Sequence, residues 1–103
     1  MTPPLVPIPA SGITASYIAS ASQLVLSAKG TIPGYFFEPI FVRDKSADGL
    51  RYSLGAYCGG LGRVPDENAI DVTDKFDNIS LADGETVVVE TQLGKFTIEV
   101  KRQ

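Results

Sequence analysis

The 103-residue sequence contains no histidine, no tryptophan and only one cysteine, Cys58. Without histidine, the Cys–His and Ser–His pairs that most acyl-transfer enzymes use cannot form within the chain. One cysteine excludes an internal disulfide and cannot build a tetrahedral zinc site without further ligands. The sequence therefore predicts a protein that is not an enzyme and that uses no cofactor.

Positive charge is also scarce, because nine lysines and arginines stand against twelve acidic residues and give a net charge of −3. The basic residues are scattered and form no stripe of the kind that binds nucleic acid by counterion release. Continuous apolar runs are short, and none approaches the ~18 residues of a membrane span. We therefore expect neither a nucleic-acid partner nor a membrane-spanning segment.

The N-terminal stretch MTPPLVPIPASG lacks the basic start and the apolar run of a secretory leader. Cytoplasmic location is the default expectation, although a component of a larger assembly or particle would have the same composition. Four of the seven prolines lie in residues 1–10 and favour an extended backbone. The interleaved Leu5, Val6 and Ile8 are unusual in a disordered tail. We predict an arm over residues 1–10 that either packs across its own domain or reaches onto a neighbouring subunit.

Residues 11–103 are predicted to form a single domain of short strands. Apolar and polar residues alternate in short segments that are separated by Gly, Pro and Asp, and no amphipathic helix longer than about two turns is indicated. The predicted strands span residues 13–19, 23–29, 35–43, 50–58, 69–76 and 79–81, followed by a hairpin over 86–101. This pattern predicts an all-β fold, a small antiparallel β-sandwich that is Ig-like in the broad sense, with a small β-barrel as the alternative.

The run YFFEPIFVR, residues 35–43, is the most aromatic segment of the chain. Both faces of such a strand would be largely apolar, which is typical of a central strand. Pro39 lacks a donor for the ladder and indicates an edge strand or a bulge. An edge strand whose apolar faces are covered by another chain satisfies both signals. The predicted partner-binding residues are Leu5, Val6, Ile8, Tyr35, Phe36, Phe37 and Phe41.

Two further segments raise chemical alternatives. In YSLGAYCGGLG, residues 52–62, Cys58 falls in register with Tyr52, Leu54 and Ala56, which predicts a buried thiol at the end of a strand. The glycines that follow match neither phosphate-binding pattern. The acidic segment 66–85 contains Asp71, Asp74 and Asp77, which are candidate calcium ligands although the EF-hand spacing is absent.

The functional prediction is a non-enzymatic protein–protein interaction or structural domain whose partner is protein, including copies of itself. The aromatic edge strand and the N-terminal arm would carry the contact, because aromatic side chains dominate the energetics of interfaces. The alternative is a carbohydrate- or calcium-dependent ligand-binding module that uses the acidic loops and exposed tyrosines.

Overall fold

Seven strands account for most of the structure, a computed structural model that describes residues 4–43, 50–58, 67–81 and 84–102. Short 3₁₀ turns at Ala10–Gly12 and Ala19–Ala21 flank the first strand, and no α-helix occurs in the described ranges. The strands are β1 (Ile13–Ile18), β2 (Gln23–Pro33), β3 (Phe36–Arg43), β4 (Arg51–Cys58), β5 (Glu67–Phe76), β6 (Thr86–Thr91) and β7 (Gly94–Arg102). The all-β prediction is confirmed. Within the described residues, no helix has the length and apolar character needed to cross a membrane.

The strands form one mixed sheet in the order β3-β4-β6-β7-β1-β2-β5. The two outermost strands, β3 and β5, come back together, so the sheet is nearly closed and resembles a barrel. This arrangement corresponds to the small-barrel alternative rather than to two separate stacked sheets. Two of the pairings, β4 with β6 and β1 with β7, are parallel. Alternation shows which face of a strand is buried but not the direction of its neighbours, so the sequence did not predict these parallel pairs.

The pairing of β7 changes along its length, which links the two halves of the sheet. Residues 94–99 of β7 pair with β6 in the predicted hairpin, whereas residues 100–102 pair with β1. In β6, the alternate residues Val87, Val89 and Thr91 are buried. Gly94 follows the two-residue turn with φ +136°, a conformation that glycine adopts without a steric penalty. The uninterrupted alternation of this hairpin explains why the sequence predicted it correctly.

One predicted strand is absent, because residues 79–81 form an irregular segment. Ile79 and Leu81 are buried, and their carbonyl groups accept hydrogen bonds from the Tyr17 hydroxyl and the Arg102 guanidinium. An irregular segment in which two alternate apolar residues are buried has the same sequence pattern as a short strand. The prediction of a strand at 79–81 was therefore wrong.

Residues 4–10 of the N-terminal arm, the part that the structure describes, pack against their own domain. Val6 and Ile8 have no exposed surface and belong to the central apolar cluster. Leu5 forms an antiparallel bridge with Gly55 of β4, and the Val6 N–H donates to the Leu54 carbonyl at 3.2 Å. Of the two arrangements that the sequence left open for the arm, this structure contains the one in which it packs across its own chain.

Candidate protein-binding surface

Strand β3 lies at one end of the sheet and contains a β-bulge. Phe37 pairs with Tyr57 and Ile40 pairs with Gly55, so that Glu38 and Pro39 together oppose a single residue of β4. Glu38 has φ +51°, in the left-handed region, and Pro39 offers no N–H to a ladder. The expectation that Pro39 marks an edge strand or a bulge is confirmed, since β3 is both.

The bulge determines which aromatic side chains are exposed. Simple alternation placed Phe37 and Phe41 on the same face of the strand. In the structure, the extra residue shifts the register, so that Phe36 and Phe41 are both buried while Phe37 and Ile40 both point outward. The predicted facing of this strand was therefore wrong beyond Glu38, because a two-residue period does not hold across a bulge.

An exposed apolar cluster results on the outer side of β3 and β4 and in the turn that precedes β3, and we call it the aromatic surface. It consists of Tyr35, Phe37, Ile40 and Tyr57, whose exposed fractions are 49%, 46%, 36% and 47%. The rings of Phe37 and Tyr57 lie 6.0 Å apart between centroids, tilted by 31°. The Tyr35 ring rests against the buried Phe36 ring at 4.8 Å. The Tyr35 ring thus has a buried ring beneath it, and the Phe37 and Tyr57 rings support each other.

The size of the aromatic surface is comparable with that of the largest apolar patch on a typical monomeric protein. About half of each ring is exposed, which corresponds to roughly 100 Å² per aromatic side chain. With the exposed part of Ile40, the apolar patch covers about 350 Å², a size at which patches on soluble monomers are often functional. Three of its four members, Phe37, Ile40 and Tyr57, are exposed apolar side chains on adjacent, paired strands.

The outer edge of β3 is occupied by side chains of β5, the other end strand. The Asn68 side-chain amide donates to the carbonyl groups of Gly34 and Phe36, at 3.3 and 3.0 Å. The Asp74 carboxylate accepts a hydrogen bond from the Phe41 N–H at 2.9 Å. We call this junction the seam. Because side chains occupy backbone groups of β3 that a further strand would need, the outward face of β3 is more accessible to a partner than its edge.

The seven predicted partner-binding residues divide into two groups. Tyr35 and Phe37 lie on the aromatic surface, and Leu5 is partly exposed. The side chains of the other four, Val6, Ile8, Phe36 and Phe41, lie in the core of their own chain and have at most 3% of their surface exposed. The sequence argument missed Ile40 and Tyr57 as members of the surface. Tyr57 could have been found, because it alternates outward from the buried Ala56.

The three candidate calcium ligands have separate partners. The Asp71 carboxylate lies 3.9 Å from the Lys29 ammonium in an exposed ion pair. Asp74 belongs to the seam, and Asp77 accepts a hydrogen bond from the Gln23 side-chain amide at 2.9 Å. In the part of the chain that the structure describes, no three acidic or cysteine side chains group as a metal site would require.

The prediction that the Cys58 thiol is buried falls outside the described residues. Cys58 is the last residue of β4, and its backbone pairs with Phe36. Its side chain and the glycine-rich residues 59–66 are outside the described residues. Tyr52, Leu54 and Ala56, with which it was predicted to share a face, are buried.

No known protein family, curated protein or solved structure matches the chain. A function must therefore be argued from the geometry of the surface.

Proposed function

We propose that the protein is a non-enzymatic interaction domain that self-associates through the aromatic surface. The observation that carries the proposal is the pair of exposed rings of Phe37 and Tyr57, which lie on neighbouring strands beside the exposed Ile40. Burying apolar surface stabilises a complex by about 25 cal/mol per Å², before the entropic costs of association are subtracted.

The chemistry of the surface favours a protein partner. Tyrosine and phenylalanine are enriched in the buried centres of interfaces, and lysine and glutamate are depleted there. Within the span from Tyr35 to Ile40, Glu38 is the only charged residue. The hydroxyl groups of Tyr35 and Tyr57 provide polar ends that can form hydrogen bonds with a partner. A rigid, nearly uncharged patch of this kind suits the centre of a protein interface.

A second copy of the chain is the partner that fits best. Two molecules that each carry a net charge of −3 repel one another, and the repulsion is smallest where the contacting patches contain few charges. A two-fold axis brings identical patches together, so that each ring can pack against a ring of the other copy. The patch supplies about 350 Å² of the roughly 800 Å² that each partner buries in a stable interface. The remainder would come from the surrounding polar residues.

Sedimentation velocity over a wide range of concentrations tests this proposal. The wild-type chain should sediment faster as concentration rises, and Phe37→Ser or Tyr57→Ser should remain monomeric at concentrations where the wild type associates. Ile18→Ser is a matched control, because it changes a partly exposed apolar residue of β1, which lies elsewhere in the sheet. The control should associate like the wild type. A wild-type chain that stays monomeric at every concentration would rule out self-association.

A further inference from the structure

The N-terminal arm completes the sheet at a position that no strand fills. The parallel ladder between β4 and β6 covers only Arg51 to Ser53 of β4. Beyond it, the arm takes the place of a strand, with the Val6 N–H bonded to Leu54 of β4 and the Val6 carbonyl bonded to the N–H of Gln92 at 2.9 Å. The Ala56 N–H donates to the Pro4 carbonyl, also at 2.9 Å. We call this gap between β4 and the β6–β7 turn the slot.

The slot is shaped for the aliphatic side chains of the arm. Ile8 lies so close to β2 that a Cβ added at Gly30 would be 2.9 Å from its Cδ1 atom, closer than atoms can pack without movement. The Ile8 carbonyl accepts a hydrogen bond from the buried Thr91 hydroxyl at 3.0 Å. The arm therefore fits the slot in two ways. The Ile8 side chain packs against β2, and the Ile8 carbonyl is hydrogen-bonded to Thr91.

The hydrogen bonds that residues 4–8 of the arm make with the rest of the domain join residues that are distant in the sequence. Its partners are on β4 and on the β6–β7 hairpin, whereas the arm is connected to the neighbouring β1 only through Pro9 and the 3₁₀ turn Ala10–Gly12. Two backbone hydrogen bonds hold this turn, from Gly12 to Pro9 and from Ile13 to Ala10. Redirecting the chain at this turn would therefore disturb only these two bonds, because an exchanged arm would form again the contacts that residues 4–8 make in the slot.

We infer that the slot is also a docking site for the arm of a second copy of this chain, so that copies can exchange residues 4–8 with one another. The exchanged arm would make the same contacts as the arm within one chain, and only the hinge at residues 9–12 would change conformation. The prolines favour an extended segment before it docks, which lowers the entropic cost of ordering it. This contact uses a different part of the molecule and does not depend on the aromatic surface.

Concentration decides which arm fills the slot. A tethered arm competes at an effective concentration in the millimolar range, so isolated molecules in dilute solution keep their own arm. Association through another surface raises the local concentration of neighbouring arms to a comparable level. Exchange is therefore expected at high protein concentration or within an assembly, whichever surface brings the copies together.

Disulfide trapping in the full-length chain tests the exchange. Leu5 and Gly55 are opposite one another in the antiparallel bridge, and such pairs lie about 4.5–5.5 Å apart between Cα atoms, within disulfide reach. One chain carries Leu5→Cys and an isotopically labelled chain carries Gly55→Cys, both in a Cys58→Ser background. After incubation at high concentration and oxidation, mass spectrometry should detect a 5–55 disulfide between labelled and unlabelled chains. A chain that carries both substitutions is the control for geometry and should form the bond internally when it is dilute.

The absence of an interchain 5–55 disulfide at every concentration, while the double variant closes internally, would overturn the inference. A second measurement requires no cysteine in the slot and decides the matter if Gly55→Cys does not fold. A labelled peptide of residues 1–9 is added to the full-length Ile8→Ala chain, whose own arm is weakened. Saturable binding supports docking in trans, and no binding at millimolar peptide refutes it. Neither result alters the test of Phe37 and Tyr57, so the two proposals can fail separately.

Discussion

At the scale of single residues, Glu38 decides what the surface of β3 presents. Its φ of +51° places it in the left-handed region, where a residue with a Cβ costs about 1–2 kcal/mol relative to the right-handed region. The strained residue lies in the bulge that turns Phe37 and Ile40 outward together. Pro39 indicated that the ladder of this strand would be interrupted. Nothing in the sequence specified that Glu38 would take the left-handed conformation.

Substitutions at Glu38 should change stability in opposite directions. Glu38→Gly removes the Cβ, and after subtracting about 0.5–1 kcal/mol for the extra freedom of glycine in the unfolded chain it should be neutral or stabilising by up to about 1.5 kcal/mol. Glu38→Val places a β-branched side chain in the same conformation and should lower the free energy of unfolding by about 1–3 kcal/mol. Urea denaturation measures both values. Destabilisation by both variants to the same extent would contradict the left-handed conformation.

At the scale of elements, a strand could be predicted where apolar and polar residues alternate, so that only one of its faces is apolar. The β6–β7 hairpin and the β1–β2 pair alternate without interruption, and their buried residues agree with the pattern. The arm was harder to place, because Leu5, Val6 and Ile8 indicate burial without indicating against what. Its partners Leu54 and Gln92 are far away in the sequence, so only the folded chain identifies them.

The arm should contribute substantially to the stability of the domain. Ile8 is fully buried, and truncating a buried isoleucine to alanine removes packing and leaves a cavity. Ile8→Ala should therefore lower the free energy of unfolding by about 2–5 kcal/mol. Leu93→Ala is the control, since that side chain is 56% exposed and its loss should cost no more than about 0.5 kcal/mol. Equal effects of the two substitutions in chemical denaturation would show that the arm is not part of the core.

At the scale of the whole molecule, the sheet is closed by side chains instead of a continuous ladder. Asn68 and Asp74 of β5 bond to the backbone of β3, and behind the seam the rings of Tyr52 and Phe76 pack 4.7 Å apart. The sequence predicted that most of these residues lie in strands but not the order of the strands. Strand order depends on contacts across the whole chain, which local patterns do not encode.

The hydrogen bond from Phe41 to Asp74 should stabilise the closed sheet. Asp74→Ala leaves the partly buried Phe41 N–H without its acceptor and should lower the free energy of unfolding by about 1–3 kcal/mol. Asp74→Asn keeps an amide oxygen in reach and should cost less. Hydrogen exchange at the Phe41 amide should be faster in the alanine variant than in the asparagine variant. Unchanged exchange in both variants would mean that the seam does not depend on this bond.

The most direct test of self-association through the aromatic surface is nuclear magnetic resonance of the wild-type chain at low and high concentration. The account predicts that the concentration-dependent shift changes and line broadening centre on Tyr35, Phe37, Ile40 and Tyr57. Changes confined to the hinge at residues 9–12 would instead report exchange of the arm, because the exchanged residues 4–8 keep the same contacts. Spectra in which the four residues of the aromatic surface remain unchanged, while sedimentation shows that the chain associates, would contradict the central claim.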